Sequence, residues 1–352
     1  MHFNIKFHKR FKEREYSSFI LGADAGGTNT SIGIFGAKNK LPVLLLSFHF
    51  KSMDLKGLDC AINKVLDCAS TQYNINAGRG CIAGAGVVSP KRDAISITKL
   101  GWNIRKKELL QKTGLNDIIF INDFEAIGYG INMLGNKDTI IVRNYKKIPK
   151  APIVVIGAGT GLGKSTLIYD EKLKAHVPLP SEAGHCDFPA QSMEELELIG
   201  FIKKRKNIKR SISYEQIVSG LGIENIYSFL RKKGEISPTR YTKEIDMNGK
   251  KPELISRYRK IDATCRKTFE IFKNEYSKFA ANCALDALPY CGIYIAGGIA
   301  PKNADIFDAG FVKKFESYHE RPDVLRKIPI YLIMNCNAGL LGAGFAAARF
   351  LK

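Results

Sequence analysis

The chain has 352 residues, of which 45% are hydrophobic, and its 54 Lys and Arg against 34 Asp and Glu give a net charge of +20. This hydrophobic content excludes a disordered chain, and no stretch approaches the roughly 20 apolar residues of a membrane span. At this length we expect two packed α/β domains.

The first half of the chain alternates β-branched or aromatic runs with helical patterns from Ser18 onward. The apolar runs predict strands, the first two of which form a hairpin, at 19–24, 30–36, 41–50, 80–88, 93–98 and 117–122. Apolar residues at helical spacing predict helices at 54–73, with Asp54 as the N-cap, and near 104–113.

The second half also opens with a predicted hairpin, formed by 152–159 and 166–177, and in each half the first strand ends in a glycine-rich turn. Further strands are predicted at 292–298 and 328–334. Helices are predicted at 191–204, 213–231, 241–249, 252–287 and 339–350. No low-complexity linker separates the halves, which favours a broad, well-packed hinge.

The positive charge is concentrated in three separate stretches, at 1–18, 200–210 and 231–260. A nucleic-acid binder more often carries a basic stripe interleaved with aromatic residues, or a known binding motif, and neither is present. We therefore expect solvated basic loops and helix faces, and no nucleic-acid partner. The field would still attract anionic ligands without specifying them.

Cysteine usage and the first residues bear on location. The eight cysteines show no C-x-x-C pair, so we expect reduced thiols in the cytoplasm and no metal cluster. Residues 1–18 lack the apolar segment of a secretory signal. This basic arm holds no motif and precedes the first predicted strand, so we expect it to be dispensable.

Three glycine-rich turns each follow a predicted buried strand, and they lie at 24–29, 157–163 and 296–301. Glycines let the backbone approach a ligand and turn its N–H groups toward phosphate oxygens, while Thr28 and Thr160 add hydroxyl groups. One such turn alone is usually a tight hairpin, but three in one chain favour nucleotide binding. Asp24, at the mouth of the first turn, suits a water-mediated Mg²⁺ contact beside phosphates.

The second turn includes Gly163-Lys164-Ser165, which is close to the P-loop pattern. A P-loop requires a helix to begin at the Lys-Ser step, because the helix amides must face the phosphates. The residues that follow alternate like a strand, so we interpret Lys164 as incidental. A P-loop NTPase that uses Lys164 stays open as an alternative.

Asn122 and Asp123 lie where a predicted strand gives way to a helix. Open α/β sheets place reactive residues at the carboxyl ends of strands. Asp123 is therefore a candidate for chemistry, with a helix N-cap as the alternative role.

Together these segments resemble a known family. LGADAGGTNTSIGIFG resembles the phosphate-1 segment of the hexokinase–actin–Hsp70 superfamily, and its Gly-Gly-Thr form resembles bacterial-type glucokinases. Other segments are similar to the family's catalytic strand-helix, phosphate-2 loop, two sugar-contacting segments, adenosine loop and C-terminal return: INDFEAIGYGI, GAGTGLGKSTL, LPSEAGHCDF, YEQIVSGLGIENIYSFL, YIAGGIAPK and YLIMNCNAGLLGAG.

The resemblance implies a fold of two α/β domains of the actin-like ATPase (ribonuclease H-like) type with a cleft between them. It places a small domain at 18–121 plus 338–352 and a large domain at 122–337, after the arm at 1–17. It implies Asp123 as general base, with sugar hydroxyls bound by Asn122, Glu182, His185 and Glu215. Nucleotide contacts are implied at Gly26, Gly27, Thr28, Asn29, Thr160, Gly161, Gly297 and Gly298.

The implied activity is transfer of a phosphoryl group from ATP, with Mg²⁺, to the 6-hydroxyl of glucose or a related hexose by a homodimer. The family often has Thr-Asn-x-x-Trp near the sugar, whereas this chain has Thr98-Lys99-Leu100-Gly101-Trp102. This departure leaves the sugar's identity open, and it also keeps open a catalytically weak, sugar-binding regulatory protein.

Overall fold

The computed structural model describes residues 3–38, 41–249, 251–317 and 320–351. Its contacts divide the chain into two compact units. Unit 1 comprises Met1–Asp138, Leu167–Pro180 and Asn335–Lys352, and unit 2 comprises Thr139–Thr166 and Ser181–Met334. Unit 1 therefore includes residues 122–138, which the sequence analysis assigned to the large domain. The predicted limits of the small and large domains stay a prediction.

The strands alternate with helices along the chain. The strands are β1 (Asn4–Phe7), β2 (Ser18–Ala25), β3 (Asn29–Lys38), β4 (Leu41–Lys51), β5 (Ala77–Gly84), β6 (Val87–Val88), β7 (Ala94–Ile97), β8 (Trp102–Arg105), β9 (Asp117–Asn122), β10 (Thr139–Arg143), β11 (Ile153–Ala158), β12 (Leu162–Asp170), β13 (Ala175–Ser181), β14 (Gly292–Ala296) and β15 (Ile330–Ile333). The helices are α1 (Leu58–Tyr73), α2 (Lys106–Lys112), α3 (Asp123–Gly130), α4 (Met193–Lys206), α5 (Gly220–Lys233), α6 (Arg240–Met247), α7 (Pro252–Tyr258), α8 (Ala263–Ala287), α9 (Ala309–Ser317), α10 (Pro322–Leu325) and α11 (Ala338–Phe350).

Unit 1 is built on a sheet with the strand order β1-β4-β3-β2-β5-β9. β2, β3 and β4 are antiparallel, whereas β2, β5 and β9 are parallel. One face packs on α1 through residues such as Ile62 and Val65, and the other packs on α3 and α11. A Cβ on Gly22 of β2 would lie 2.9 Å from the backbone nitrogen of Gly344, so glycine permits α11 to cross the sheet closely.

The basic N-terminal arm is part of this sheet, which the sequence analysis missed. β1 pairs antiparallel with β4, with Asn4 opposite His49. The ring of Phe3 lies 5.9 Å from that of Phe48 and 5.5 Å from that of Phe50. The arm therefore contributes an exposed edge strand and apolar contacts, while β2 remains the first strand with buried residues.

Unit 2 is built on the sheet order β10-β15-β14-β11-β12, and β13 follows β12 in the same six-stranded sheet, with Leu167–Pro180 counted in unit 1. β11, β14 and β15 are parallel, as their buried β-branched residues predict. The core lies between this sheet and α4 to α10, and its largest fully buried side chains include Tyr227, Phe272 and Tyr276.

Several predicted boundaries differ from the structure for local reasons. The single helix predicted at 252–287 is two helices, because Asp262 caps α8 by accepting a hydrogen bond from the Cys265 nitrogen at 2.9 Å. Helix α1 begins after Gly57, so Asp54 is not its N-cap. The short strands β8 and β10 were also missed.

Two further properties concern the cysteines and the helices. Each of the eight cysteines is a free thiol. Within the described ranges, no helix combines the length and the apolar character needed to cross a lipid bilayer.

Candidate active site

The first glycine-rich turn joins β2 to β3 in unit 1. The Gly26 nitrogen donates to the Asn29 carbonyl at 3.0 Å. Ser52, which is not part of the turn, stabilises it through two hydrogen bonds. Its Oγ donates to the Gly26 carbonyl at 2.7 Å, and its nitrogen donates to the Thr28 carbonyl at 2.9 Å. Ser52 is fully buried and the sequence analysis missed it, because it lies far along the chain at the end of β4.

These contacts determine which backbone groups of the turn can bind a ligand. The carbonyls of Gly26 and Thr28 are occupied by Ser52, whereas the N–H groups of Gly27 and Thr28 meet no acceptor among the described residues. Successive N–H groups in a turn form an anion-binding concavity. The turn is therefore suited to a phosphate, as the sequence predicts.

Asp24 lies at the end of β2, next to the turn. A Cβ on Gly339, in the first turn of α11, would lie 2.5 Å from the Asp24 Oδ2, so glycine at 339 leaves room for this carboxyl. Burial, and secondarily the negative charge of Asp123, raise the pKa of Asp24 to about 7. A bound cation would favour the ionised form of such a carboxyl.

Asn122 and Asp123 occupy the junction between β9 and α3, as predicted. The N-cap of α3 is Asn122, whose Oδ1 accepts a hydrogen bond from the Phe124 nitrogen at 2.8 Å. The Asn122 Nδ2 donates to the Gly86 carbonyl at 3.2 Å. Asp123 is the first helical residue, so its alternative role as the N-cap is taken by its neighbour.

The start of α3 is held by a partly buried ion pair that sequence reasoning missed. Glu125 is 3% exposed, and its Oε1 accepts from the Arg92 Nη2 at 2.6 Å. Its Oε2 accepts from the Asn122 nitrogen at 3.4 Å, which completes a capping box. The hydrogen bond to Glu125 raises the pKa of Arg92 further above its usual value. The pair thereby stabilises the backbone from which Asp123 projects.

The parallel strand ends bring these residues into one row. Ala25 is opposite Gly84 in the register of β2 and β5, and Gly84 is opposite Asn122 in the register of β5 and β9. The phosphate-type turn and the Asn122-Asp123 pair therefore lie at the same edge of the sheet.

The second glycine-rich turn, between β11 and β12, belongs to unit 2. The Gly159 nitrogen donates to the Gly161 carbonyl, and the Gly220 nitrogen donates to the Gly159 carbonyl, both at 2.8 Å. Gly220 begins α5, so the turn that contains Thr160 lies against the amino-terminal end of this helix. Helix amino termini favour anions.

The P-loop alternative is not supported. Lys164 and Ser165 lie within strand β12, and no helix begins at this step. Lys164 is 7% exposed, and its Nζ forms an ion pair with Asp286 at 2.5 Å. This geometry accounts for a buried lysine without a phosphate.

The predicted sugar-contacting residues lie in two adjoining loops of unit 2. The His185 Nε2 and the Glu182 Oε2 are 3.8 Å apart, and both side chains are exposed. The Tyr214 nitrogen donates to the Cys186 carbonyl at 3.0 Å, which joins the loop of Glu182 to the loop of Glu215. The structure therefore brings Glu182, His185 and Glu215 into one region.

Glu215 also links this region to the second turn. Its Oε2 accepts a hydrogen bond from the Leu162 nitrogen at 2.9 Å. A Cβ on Gly161 would collide with the same carboxylate oxygen, and a Cβ on Gly184 would collide with the Leu162 carbonyl. Glycine at 161 and 184 thus permits the sugar-type loops and the phosphate-type turn to pack together.

The third turn follows β14 and contains Gly297 and Gly298. Gly297 has φ +88°, a left-handed conformation that favours glycine, and a Cβ there would collide with the Ala158 carbonyl. The Ile299 nitrogen donates to the same carbonyl at 3.2 Å. The second and third turns are therefore neighbours in unit 2.

The site residues predicted from the sequence thus form two groups, one in each unit. Unit 1 holds Asp24, Gly26, Gly27, Thr28, Asn29, Asn122 and Asp123, and unit 2 holds Thr160, Gly161, Glu182, His185, Glu215, Gly297 and Gly298. In the part of the chain that the structure describes, no three His, Cys, Asp or Glu side chains form a metal-binding cluster.

Comparison with known proteins gives one consistent result. A family model described as Glucokinase matches residues 21–350. The glucokinase of Nostoc punctiforme is 33% identical over 349 residues, which cover 94% of this chain and 99% of that protein.

Solved structures agree. The glucokinase of Balamuthia mandrillaris in complex with glucose has a TM-score of 0.77 at 21% identity, covering 94% of this chain and 93% of that one. A ROK family glucokinase from Streptomyces griseus in complex with glucose and AMPPNP has a TM-score of 0.65 at 18% identity, covering 94% and 99%. These likenesses confirm the predicted two-domain actin-like ATPase fold.

Proposed function

This chain belongs to the glucokinase family and is an ATP-dependent glucose kinase, and we propose that Asp123 is the general base of its reaction. The observation that carries the assignment of Asp123 is its place at the start of α3, where Asn122 already provides the N-cap. The Asp123 Oδ1 also accepts a hydrogen bond from the Phe124 nitrogen at 3.0 Å. Because Asn122 supplies the N-cap, the helix does not need a carboxylate at position 123, and we assign this carboxylate to proton transfer.

The proposed reaction transfers the γ-phosphoryl group of ATP to glucose. The 6-hydroxyl oxygen of glucose forms a bond to the γ-phosphorus of ATP, while the bond from that phosphorus to the β,γ-bridging oxygen breaks and ADP leaves with its electron pair. The hydroxyl proton passes to the Asp123 carboxylate. Positioning and charge neutralisation supply most of the rate enhancement in such transfers.

Backbone groups bind the nucleotide in this proposal. The N–H groups of Gly27 and Thr28 donate hydrogen bonds to terminal phosphate oxygens. Gly26 and Asn29 shape the turn that presents these groups. Thr160 and Gly161 contribute from the turn beside the start of α5. Gly297 and Gly298 form a backbone surface, free of side chains, for adenosine.

The residues present also fit Mg²⁺. This ion usually takes one or two carboxylates together with substrate phosphates, and Asp24 supplies one carboxylate beside a phosphate-type turn. When bound, Mg²⁺ neutralises phosphate charge. Asp24 would hold it, directly or through water, and would become ionised in doing so.

Polar side chains that are exposed or partly exposed bind the sugar in this proposal. Glu182, His185 and Glu215 lie on joined loops of unit 2, and Asn122 and Asp123 supply polar atoms from unit 1. Sites that hydrogen-bond substrate hydroxyl groups reject analogues that lack them. Specificity for glucose follows from these groups.

The proposal extends to a homodimer in the cytoplasm. The eight free thiols and the use of ATP support the compartment. The family resemblance supports the dimer, which light scattering coupled to size-exclusion chromatography would measure.

The Asp123→Asn variant tests the assignment. Asparagine keeps the size of the side chain but cannot take up a proton, so we expect turnover to fall by about 10²–10⁴-fold. The melting temperature should stay unchanged, because Asn122 caps the helix. Turnover is measured with ATP and a panel of hexoses in a coupled assay, on the preparation used for the melting curve.

A matched control is Asp170→Asn, in the turn between β12 and β13. Asp170 Oδ1 accepts hydrogen bonds from the nitrogens of Lys172 and Leu173 at 2.8 Å, which asparagine can also accept. It should keep full turnover. Near-normal turnover of Asp123→Asn would contradict the assignment of the base.

A further inference from the structure

A small hairpin at the edge of unit 1 presents Lys99. β7 and β8 are antiparallel with Ile97 opposite Trp102, so residues 98–101 form the tip. Thr98–Leu100 form a single 3-10 turn, and Gly101 closes the tip with φ +64°. Ile97 is fully buried and Trp102 packs against the unit 1 core, which anchors the tip on both sides.

The hairpin is pressed against the strand ends that carry the proposed catalytic groups. A Cβ on Gly84 would lie 2.8 Å from the Ile95 Cδ1, and a Cβ on Gly86 would collide with the Ser96 carbonyl. The Gly86 carbonyl in turn accepts the hydrogen bond from the Asn122 side chain. The hairpin and the start of α3 are therefore both fixed on the segment 84–86.

The tip reaches the first glycine-rich turn through the Lys99 side chain. A Cβ on Gly27 would lie 2.5 Å from the Lys99 Cδ and 3.0 Å from its Cβ, so the methylene chain lies directly over Gly27. The ammonium is two bonds beyond Cδ, which places it within about 5 Å of that Cβ position. Lys99 is thus tethered beside the unoccupied N–H groups of Gly27 and Thr28.

We propose that Lys99 is a catalytic residue that contacts the γ-phosphate of ATP and neutralises its charge during transfer. The proposal rests on the proposed function. Electrostatics favours this role, because the region already holds the carboxyls of Asp24 and Asp123. A polyanion such as ATP that enters this region needs a compensating cation. A lysine ammonium is a compact charge suited to a phosphate oxygen. Lys99 takes no part in the proton transfer, so the proton balance of the reaction is unchanged.

The position of Lys99 bears on the departure of this chain from Thr-Asn-x-x-Trp. In the sequence analysis, Lys99 cast doubt on the sugar. Its contact with Gly27 instead places it on the phosphate side, so we expect its replacement to affect the nucleotide and not glucose.

Kinetics of Lys99→Met provide the first test, with Lys99→Gln as a second variant if the first folds poorly. Removing one transition-state donor commonly costs about 10²–10³-fold in turnover. We expect kcat/KM for ATP to fall by about 10²-fold, with KM for glucose within a few-fold. The control is Lys91→Met, an exposed lysine at the opposite end of β7, which should behave like the wild type.

Nucleotide binding provides a test that does not depend on turnover. Trp102 is the single tryptophan of the chain and is three residues from Lys99, so its fluorescence reports on this hairpin. Titrations use ADP and the non-hydrolysable analogue AMPPNP. A contact with the γ-phosphate predicts that Lys99→Met weakens AMPPNP binding by tenfold or more and leaves ADP binding within a few-fold.

Three outcomes overturn the inference while the proposed function stands: unchanged kinetics, a selective rise in KM for glucose, or equal weakening of ADP and AMPPNP. Absence of glucose phosphorylation by the wild type would instead overturn the proposed function. In that case the two titrations still decide whether Lys99 contacts a terminal phosphate.

Discussion

Asp24 shows how one carboxyl couples the site to stability. Its environment raises its pKa from the usual range near 4 to about 7, chiefly through burial and secondarily through Asp123. Between these values the folded protein retains a proton that the unfolded chain has released. The contribution of Asp24 to the free energy of unfolding is therefore fully present below about pH 4, where both states are protonated, and is lost as the pH rises through about 7.

The raised pKa of Asp24 leads to a prediction about the Asp24→Asn variant. The fall in the free energy of unfolding between about pH 5 and pH 8 should be smaller in the variant than in the wild type. Urea unfolding at the two pH values measures it. Burial also raises the pKa of Glu275, in α8, to about 7. Glu275→Gln should therefore remove the part of the fall in the free energy of unfolding that Glu275 contributes over the same pH range. An unchanged slope in Asp24→Asn would contradict the stated protonation of Asp24.

Strand β1 illustrates how an element gains its structure from a distant partner. Its four residues have no apolar face long enough to predict a strand, and their order comes from pairing with residues of β4 about 40 positions along the chain. Phe3 packs on Phe48 and Phe50, whereas Phe7 is 58% exposed and contacts the edge of Tyr73. The basic arm is therefore a structural edge of unit 1.

A matched pair of variants tests this role of the arm. Phe3→Ala should lower the free energy of unfolding by about 1–2 kcal/mol, because it removes partly buried aromatic area. Phe7→Ala should change it by less than about 0.5 kcal/mol, as for a surface site. Deleting residues 2–16 should lower the melting temperature further, since β4 would then present an unpaired edge. Equal melting temperatures for all four proteins would support a dispensable arm.

The net charge of +20 acts at the scale of the whole molecule. A net positive field raises the local concentration of anionic substrates, and salt screens it over about 10 Å at 0.1 M. ATP is a polyanion and glucose is neutral. The charge should therefore affect only one of the two substrates.

We accordingly expect kcat/KM for ATP to fall several-fold between about 0.05 M and about 0.5 M potassium chloride, whereas kcat/KM for glucose at saturating ATP stays nearly constant. Initial rates at a series of salt concentrations measure this. A parallel fall for both substrates would indicate a general effect of salt on the enzyme and not attraction of the nucleotide.

Local sequence patterns predicted the features that depend on neighbours along the chain. Runs of β-branched and aromatic residues located β2, β3, β9 and β11, and the turns after β2 and β11 were recognisable from their glycines. The position of Asp123 at a strand end likewise followed from local pattern, as did the dismissal of Lys164, since a strand pattern follows it.

Contacts between distant segments arise only in the folded molecule. Ser52 holds the turn at Gly26, Arg92 pairs with Glu125, and Lys99 covers Gly27, and each pair is separated by 26 to 72 residues. Polar side chains such as Arg92 and Lys99 follow no periodic pattern, so nothing local distinguishes them from the many solvated lysines and arginines of this basic chain. Their roles arise from packing, because a side chain acquires a partner only when the sheet brings separate strand ends to one edge.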